Sequence, residues 1–369
     1  GQLFADRDMP PFNRSTVDGV AIDFGAYEAG QRIFEITATQ AAGMSPIPIA
    51  GKGCCIEIMT GAALHHSADT VIRYEDIEIN DKTVTLMDVV VKRGQNVHLR
   101  GKDRKEGEVI VDSNRVITPP VMGLAASIGK LELLVKRLPR VIIVTTGDEM
   151  VRAEAEPAPY QLRRSNGIVL KAGLVRYAIQ ADLVHLKDDY GVMKNDLERC
   201  LRDYDVLLMS GGVSKGKFDH VPAVLTELKA EQLFHKIRQR PGKPFWFGKH
   251  RDNTLIFAFP GNPVSTFMCF CRYFIPWLEA SLGIARSPEY AVLQRDVYFD
   301  PPVQYFQQVE LSCRENGQWQ ANPVEGNGSG DFSQLTSTDA FMEFPLERNE
   351  FKKGEAYRIW RYNSICSYI

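Results

Sequence analysis

Four apolar runs between Val141 and Phe259 each end in small or acidic residues. The ends read Thr145-Thr146-Gly147-Asp148-Glu149, Lys187-Asp188-Asp189, Ser210-Gly211-Gly212-Val213-Ser214-Lys215-Gly216-Lys217-Phe218-Asp219 and Pro260-Gly261-Asn262-Pro263. Missing side chains let backbone N–H groups approach an anion closely, and a helix starting just beyond adds partial positive charge. Ser210, Gly211, Gly212, Ser214 and the Pro260-Gly261-Asn262 turn therefore form a candidate anion cradle. The carboxylates Glu149, Asp188 and Asp219 alone would repel a phosphate. Bridged by a hard divalent cation, and flanked by Lys236, Arg240 and Lys243, they suit a phosphate or phosphoanhydride. Any one of these loops reads equally well as an ordinary turn. Four together at the carboxyl ends of strands read as a ligand cleft.

The elements that must position these residues follow from the hydrophobic periods. Val141–Val144, Asp182–Leu186, Val206–Met209 and Thr254–Phe259 read as strands. Between them run helices: one from the Ser165-Asn166 cap to about Ile179, with Leu170, Leu174, Val175 and Ala178 at helical spacing, another ending near Arg202, and a third starting after Asn262 as N-cap. The alternation predicts a mostly parallel, doubly covered sheet. From Arg32 to Asp88 the chain reads as all-β, with strands at Ile33–Ile36, Cys55–Ile58 and Thr83–Leu86. After about Gly283 it reads as all-β again, with strands over 291–299, 307–314, 340–343 and 356–360. The fold class is thus multi-domain, a central α/β domain between a β-rich N-terminal part and a C-terminal β part.

Flanking features carry weaker signals. Asp18-Gly19 reads locally as a hairpin turn. Thr60, before Gly61 at a strand end, can offer a hydroxyl to an anion or merely close a strand. His65-His66 lacks further ligands at zinc-like spacing and reads as a turn. The run from Arg100 to Glu108, which includes Asp103, is a charged loop. Pro119-Pro120 opens a helix whose inner face carries Val121, Leu124, Ala125 and Ile128, with Gly129 as its stop. The glycine-rich stretch Val324–Gly330, containing Ser329, reads by itself as a hairpin loop.

Composition narrows the class. A chain of 369 residues exceeds one ordinary core. Its net charge of −2, with no basic run, argues against nucleic acid as partner. No apolar stretch reaches membrane-spanning length, and the N-terminus lacks a signal pattern. Seven cysteines without a CxxC pair read as reduced thiols of a cytoplasmic protein, with Cys54-Cys55 and Cys269/Cys271 as small buried groups.

Taken in order, PPFNRSTVDGVAI, MTGAALHHSADTVIRYED, TTGDEM, SGGVSKGKFD, RPGKP and FPGNPVS resemble the molybdopterin molybdenumtransferase family, the bacterial MoeA group related to the gephyrin E domain. The resemblance covers nearly the whole chain from Asp8 onward. It implies an elongated, four-part homodimer: a β-rich domain over 7–104, a discontinuous linking domain over 1–6 and 105–138, an α/β domain over 139–283 similar to molybdopterin adenylyltransferases, and a β-barrel-like domain over 284–369. A leading helical segment of the family is not in this sequence, which leaves the linking part incomplete. The implied reaction takes adenylylated molybdopterin and molybdate and releases AMP, with Mg²⁺ as the assisting ion. By motif match, Glu149, Asp188 and Asp219 are acidic cleft positions and the metal-holding candidates. Asp18, Thr60 and Asp103 match positions that close over the cleft of a partner subunit. Lys236, Arg240 and Ser329 match groups that handle the oxyanion or substrate. Ser210, Gly211, Gly212 and the Pro260-Gly261-Asn262 turn match pterin- and nucleotide-facing walls. A molybdopterin adenylyltransferase is a possible further partner. The chain departs from the family at Val17-Asp18-Gly19-Val20, where an aromatic usually follows the glycine, at His65-His66, and at Arg240, usually lysine. Arginine replaces a point charge by a planar fork. The competing readings are an adenylyltransferase-like nucleotide enzyme and a gephyrin-like scaffold.

Overall fold

A computed structural model of the chain describes residues 1–213, 219–251 and 254–363. The chain divides after Val135 into two compact units.

The first unit is built on a six-stranded sheet. Its strands are β1 (Gly19–Ile22), β2 (Ile33–Gln40), β3 (Cys54–Ile58), β4 (Thr70–Arg73), β5 (Ile77–Asn80) and β6 (Thr83–Leu86), in the order β4-β1-β3-β2-β6-β5. Only β2 and β3 run parallel. Val20, Ile22, Phe34, Cys55, Ile72 and Val84 fill one side, and Ala21, Ile56, Ile58 and Val71 the other, the period-two division a pleated strand requires. The Asp18-Gly19 hairpin predicted from sequence is not formed. Gly19 starts β1 and pairs on both sides, with Ile58 and with Arg73. A Cβ there would stand 1.9 Å from the Ile72 carbonyl oxygen, so the glycine serves strand packing. Helix α1 (Pro119–Ser127) forms as predicted. Its Ala125 is buried, Ile128 is buried just past its end, and Gly129 follows at φ +70°.

The second unit opens with β7 (Val141–Thr146), α2 (Asn166–Val175), β8 (Asp182–Leu186), α3 (Tyr190–Asp203), β9 (Val206–Ser210) and α4 (Val221–Glu227). It continues through β10 (Ala230–His235), β11 (Gln239–Arg240), β12 (Trp246–His250), β13 (Thr254–Phe259), α5 (Pro263–Cys269) and α6 (Ile275–Leu282). The sheet order is β8-β7-β9-β13-β12-β10. The first four strands are parallel. The last two, unassigned from sequence, are antiparallel. Val141 and Ile143 face a core containing Leu170, Phe257, Met268, Phe270 and Phe274, while Ile142 and Val144 face one containing Met193, Leu197, Val221 and Leu225. Both faces are covered, which explains why these strands read as unbroken apolar runs. Helix α2 is shorter than its periodicity predicts. Val175 is exposed, and Ala178 turns the chain away at φ +57°.

The C-terminal part is a closed five-stranded barrel of β14 (Glu289–Leu293), β15 (Gln304–Cys313), β16 (Trp319–Pro323), β17 (Ala340–Phe344) and β18 (Ala356–Arg361). Its order is β15-β16-β14-β18-β17, with β17 pairing back onto β15. The strand expected over 291–299 breaks after Leu293, and Val297–Tyr298 pairs instead with Glu350–Phe351. Phe306, Leu335, Phe341 and Trp360 of this part belong to the same core as Phe257 and Phe270. The short β11 adds to β15 in parallel.

Because the Gly19 contact is with backbone, Gly19→Ala is expected to destabilise the first unit by about 3 kcal/mol. Calorimetry of the whole chain should show an earlier transition; unchanged melting would mean that β1 and β4 separate at little cost.

Candidate active site

The parallel strands end on one edge, and there the four predicted turns line a single cavity of about 680 Å³. Its walls include Glu149, Asp188, Ser210, Gly211, Gly212, Asp219, Pro260, Gly261 and Asn262, as the sequence suggested. Ser214 lies outside the described residues. Gly211 sits at φ +100°, and a Cβ there would lie 2.8 Å from Thr146 Oγ1 and 3.0 Å from the Thr146 carbonyl oxygen. Only glycine gives both this backbone and this approach. Its N–H donates to the Phe259 carbonyl at 3.2 Å, tying the end of β9 to that of β13.

Asn166 is the residue the sequence reading underrated. It was legible only as part of a helix cap, yet the N-cap Ser165 makes no side-chain cap bond to α2. Instead, Asn166 Nδ2 donates to Ser210 Oγ at 2.9 Å and to the Gly261 carbonyl at 2.6 Å, with Thr266 Oγ1 at 3.3 Å. Thr266 Oγ1 in turn donates to the Pro260 carbonyl at 2.6 Å. One amide thus joins the start of α2, the end of β9 and the turn before α5. Arg163 and Arg164 also line the cavity and supply cations that the sequence reading did not include. Burial holds Arg164 below the ordinary arginine value.

A second cavity, of about 710 Å³, opens between the sheet ends and the barrel. Arg240, Lys243 and Ser329 line it, with Tyr298, Phe299 and Tyr305. Pro244, Pro260 and Asn262 line both cavities. Asn262 occupies the N-cap of α5, but its side chain does not cap the helix. Its Nδ2 donates to Ser329 Oγ at 2.7 Å, and the Ser329 carbonyl accepts from Val264 N–H at 3.1 Å. Lys236, at φ +73° just after β10, lines neither cavity.

In the first unit, Asp18 Oδ1 accepts from the Thr60 N–H at 2.6 Å and from Thr60 Oγ1 at 2.9 Å. These two bonds, the backbone one first, hold the Asp18 carboxyl below its usual value. Asp103 Oδ1 lies 3.0 Å from His98 Nε2. His65 Nδ1 lies 3.0 Å from Ser67 Oγ.

Among the described residues no group of three or more His, Cys, Asp or Glu stands ready to enclose a metal, and the six described cysteines are free. No helix among the described residues is long and apolar enough to cross a membrane. The surroundings of Asp188 disfavour its charged form. Burial raises its carboxyl pKa above 3.8, and the charges of Asp148 and Glu149 push the same way, against the lowering effect of a bond from the Asp148 backbone. Glu149, Asp188 and Asp219 line the first cavity with carboxylate oxygens, the donor type that a hard ion takes.

This combination defines an α/β scaffold with two adjoining cavities beyond the strand ends, one lined by three carboxylates and two arginines, the other by Arg240, Lys243 and Asp300. Three family models match: the MoeA N-terminal region (domain I and II) over residues 1–129, the "Probable molybdopterin binding domain" over 142–280, and the MoeA C-terminal region (domain IV) over 290–360. The molybdopterin molybdenumtransferase of Synechocystis is 37% identical over 361 residues, covering 97% of this chain and 90% of its own length. That of Bacillus subtilis is 28% identical, covering 97% and 85%. The molybdopterin biosynthesis MoeA protein from Pyrococcus horikosii superposes with a TM-score of 0.82 at 27% identity, over 98% of this chain and 90% of that one. The chain belongs to the molybdopterin molybdenumtransferase (MoeA) family.

A raised aspartate pKa contributes stability that is complete below the ordinary value of 3.8 and is lost as pH climbs through the folded value. Ionised Asp188 therefore costs stability at neutral pH in the metal-free chain. Asp188→Asn is expected to melt higher than the parent at pH 7 without divalent ions, with the difference vanishing near pH 3. A lower melting temperature at pH 7 would contradict this electrostatic account.

Proposed function

We propose that this chain transfers molybdenum from molybdate into adenylylated molybdopterin and releases AMP, acting in molybdenum cofactor biosynthesis. The observation that carries the reading is the pair of adjoining cavities. One holds Glu149, Asp188 and Asp219 with several glycines beside Arg163 and Arg164, the other Arg240 and Lys243 beside Asp300, and they share the rim of Pro244, Pro260 and Asn262. A substrate that is anhydride at one end and accepts an oxyanion at the other would lie across such a rim. The names of the relatives supply the activity class.

The roles follow from the chemistry. The Ser210-Gly211-Gly212 turn and the Pro260-Gly261-Asn262 turn bind and orient the phosphates, and Asn166 keeps the two turns in register. Arg240, Lys243 and Ser329 hold the tetrahedral oxyanion, with Lys236 adding positive potential nearby. Fixing the two charged reactants against each other converts an encounter in solution into reaction between bound neighbours. Glu149, Asp188 and Asp219 would hold Mg²⁺, which when bound would neutralise the anhydride oxygens as the P–O bond breaks. With Arg163 and Arg164, which line the same cavity, the ion would offset the carboxylates toward a polyanion, so the cation and the substrate favour each other's binding.

The reading extends to a homodimer in which the first unit, with Asp18, Thr60 and Asp103, closes over the cavity of a second copy. It includes the four-part division of the chain at 7–104, at 1–6 with 105–138, at 139–283 and at 284–369. Supply of the adenylylated pterin by a molybdopterin adenylyltransferase and a cytoplasmic setting complete it.

Asp219→Asn and Glu149→Gln are each expected to lower AMP release from adenylylated molybdopterin with molybdate and Mg²⁺ by about 10²-fold or more. Glu149 lies just past β7 and Asp219 just before α4, neither in a hydrophobic core, so melting temperatures should stay near that of the parent. Full turnover in both variants would remove these carboxylates from the reaction.

A further inference from the structure

We infer that Gln239 is a positioning residue for the oxyanion-binding loop, acting through a buried amide clamp. The inference rests on the proposed oxyanion role of Arg240 and Lys243.

Gln239 precedes Arg240 in β11 and is 1% exposed, although it carries a polar amide. A buried amide without partners would be costly, and this one is fully engaged. Its Nδ-equivalent group, Nε2, donates to the Gly242 carbonyl at 3.3 Å and lies 3.6 Å from Cys269 Sγ. Its Oε1 accepts from the Tyr273 hydroxyl. The clamp therefore spans the turn that presents both cations, from the residue before Arg240 to the residue before Lys243.

The surroundings leave this turn little freedom. A Cβ on Gly242 would stand 2.6 Å from Cys269 Sγ and 2.7 Å from Gln239 Nε2. The Lys243 carbonyl accepts from Ile237 N–H at 2.9 Å. Outside the turn, Gln239 and Arg240 pair with Gln304 and Tyr305 of the barrel. Gln239 itself lines the cavity of Arg240 and Lys243, which Asp300 also lines. Its own hydrogen-bonding groups are spent on the protein, so it holds the cations in place and leaves the ligand to them. Through Cys269 at the end of α5 it also links the turn to the helix that starts at the shared rim.

The ligand that senses this clamp is the tetrahedral oxyanion. Loss of the amide lets the Arg240–Lys243 turn relax, which weakens a site needing two cations at fixed separation and leaves the phosphate turns of the other cavity untouched. Two variants test this without adding charge. Gln239→Met keeps length and bulk but removes both amide functions. Tyr273→Phe removes only the hydroxyl that holds Gln239 Oε1. Steady-state AMP release is measured against molybdate and against adenylylated molybdopterin, with calorimetric titration of molybdate as a readout independent of turnover.

Both variants should raise the KM and Kd for molybdate, Gln239→Met by roughly tenfold, with kcat and the KM for the pterin substrate near the parent's. Lys243→Ala serves as the reference. A raised molybdate KM in Lys243→Ala beside unchanged values in Gln239→Met and Tyr273→Phe would overturn the positioning role alone. An unchanged KM in Lys243→Ala would overturn the oxyanion reading and this inference with it. Should Gln239→Met fail to fold, Tyr273→Phe decides. A fall in kcat or in melting temperature at unchanged molybdate KM and Kd would mark the network as merely structural.

Discussion

The aromatic seam between the parallel sheet and the barrel is the constraint on which the site depends. Phe245, Phe257, Phe259, Phe270 and Phe274 from the sheet side share one core with Phe306, Phe341 and Trp360 from the barrel side. Across the join, Phe267 of α5 meets Phe341 edge-on at 6.3 Å and Tyr362 edge-on at 5.1 Å, while on the sheet side Phe245 packs on Tyr273 at 5.1 Å. Burial of each such ring is worth about 1.5–3 kcal/mol, so the two layers cannot slide without losing several of them. The cavity of Arg240 and Lys243 lies along this join, and its shape is set by how the layers meet. Tyr273 has a part in both roles, packing its ring on the seam and giving its hydroxyl to Gln239.

A second constraint is direction. Four parallel strands put four carboxyl ends on one edge, and backbone N–H groups at the following helix starts face the same way. The glycine at 211 and the amide of Asn166 then draw three turns together until side chains distant in sequence share a wall. Each cavity mixes charge: Glu149, Asp188 and Asp219 stand with Arg163 and Arg164 in one, and Arg240 and Lys243 stand with Asp300 in the other.

Much of this was legible beforehand. The strand at Val206–Ser210 and the small residues after it announce themselves locally, because burial on both faces demands an unbroken apolar run. Glu149, Asp188 and Asp219 could be read as strand-end carboxylates for the same reason. Other features were hidden. Asp18-Gly19 has the composition of a hairpin turn, and only pairing of Gly19 with both neighbours makes it a strand start. Asn262 looks like a helix cap, but Ser329, 67 residues away, takes its amide. Val175 continues a helical period that Ala178 ends.

The sequence by itself determined the four parallel strands and their ends, much of the remaining strand and helix pattern, and the order of motifs that marks the family. Those properties are local, governed by side-chain period, backbone restriction and turn chemistry over a few residues. Only the tertiary structure decided that Asn166 joins three turns, that Gln239 clamps the cation loop, and that two cavities meet at Pro244, Pro260 and Asn262. Such contacts depend on sheet order, on register and on how the barrel seats against the sheet. These are settled by long-range packing, in which a buried amide finds whichever partners the fold brings within reach.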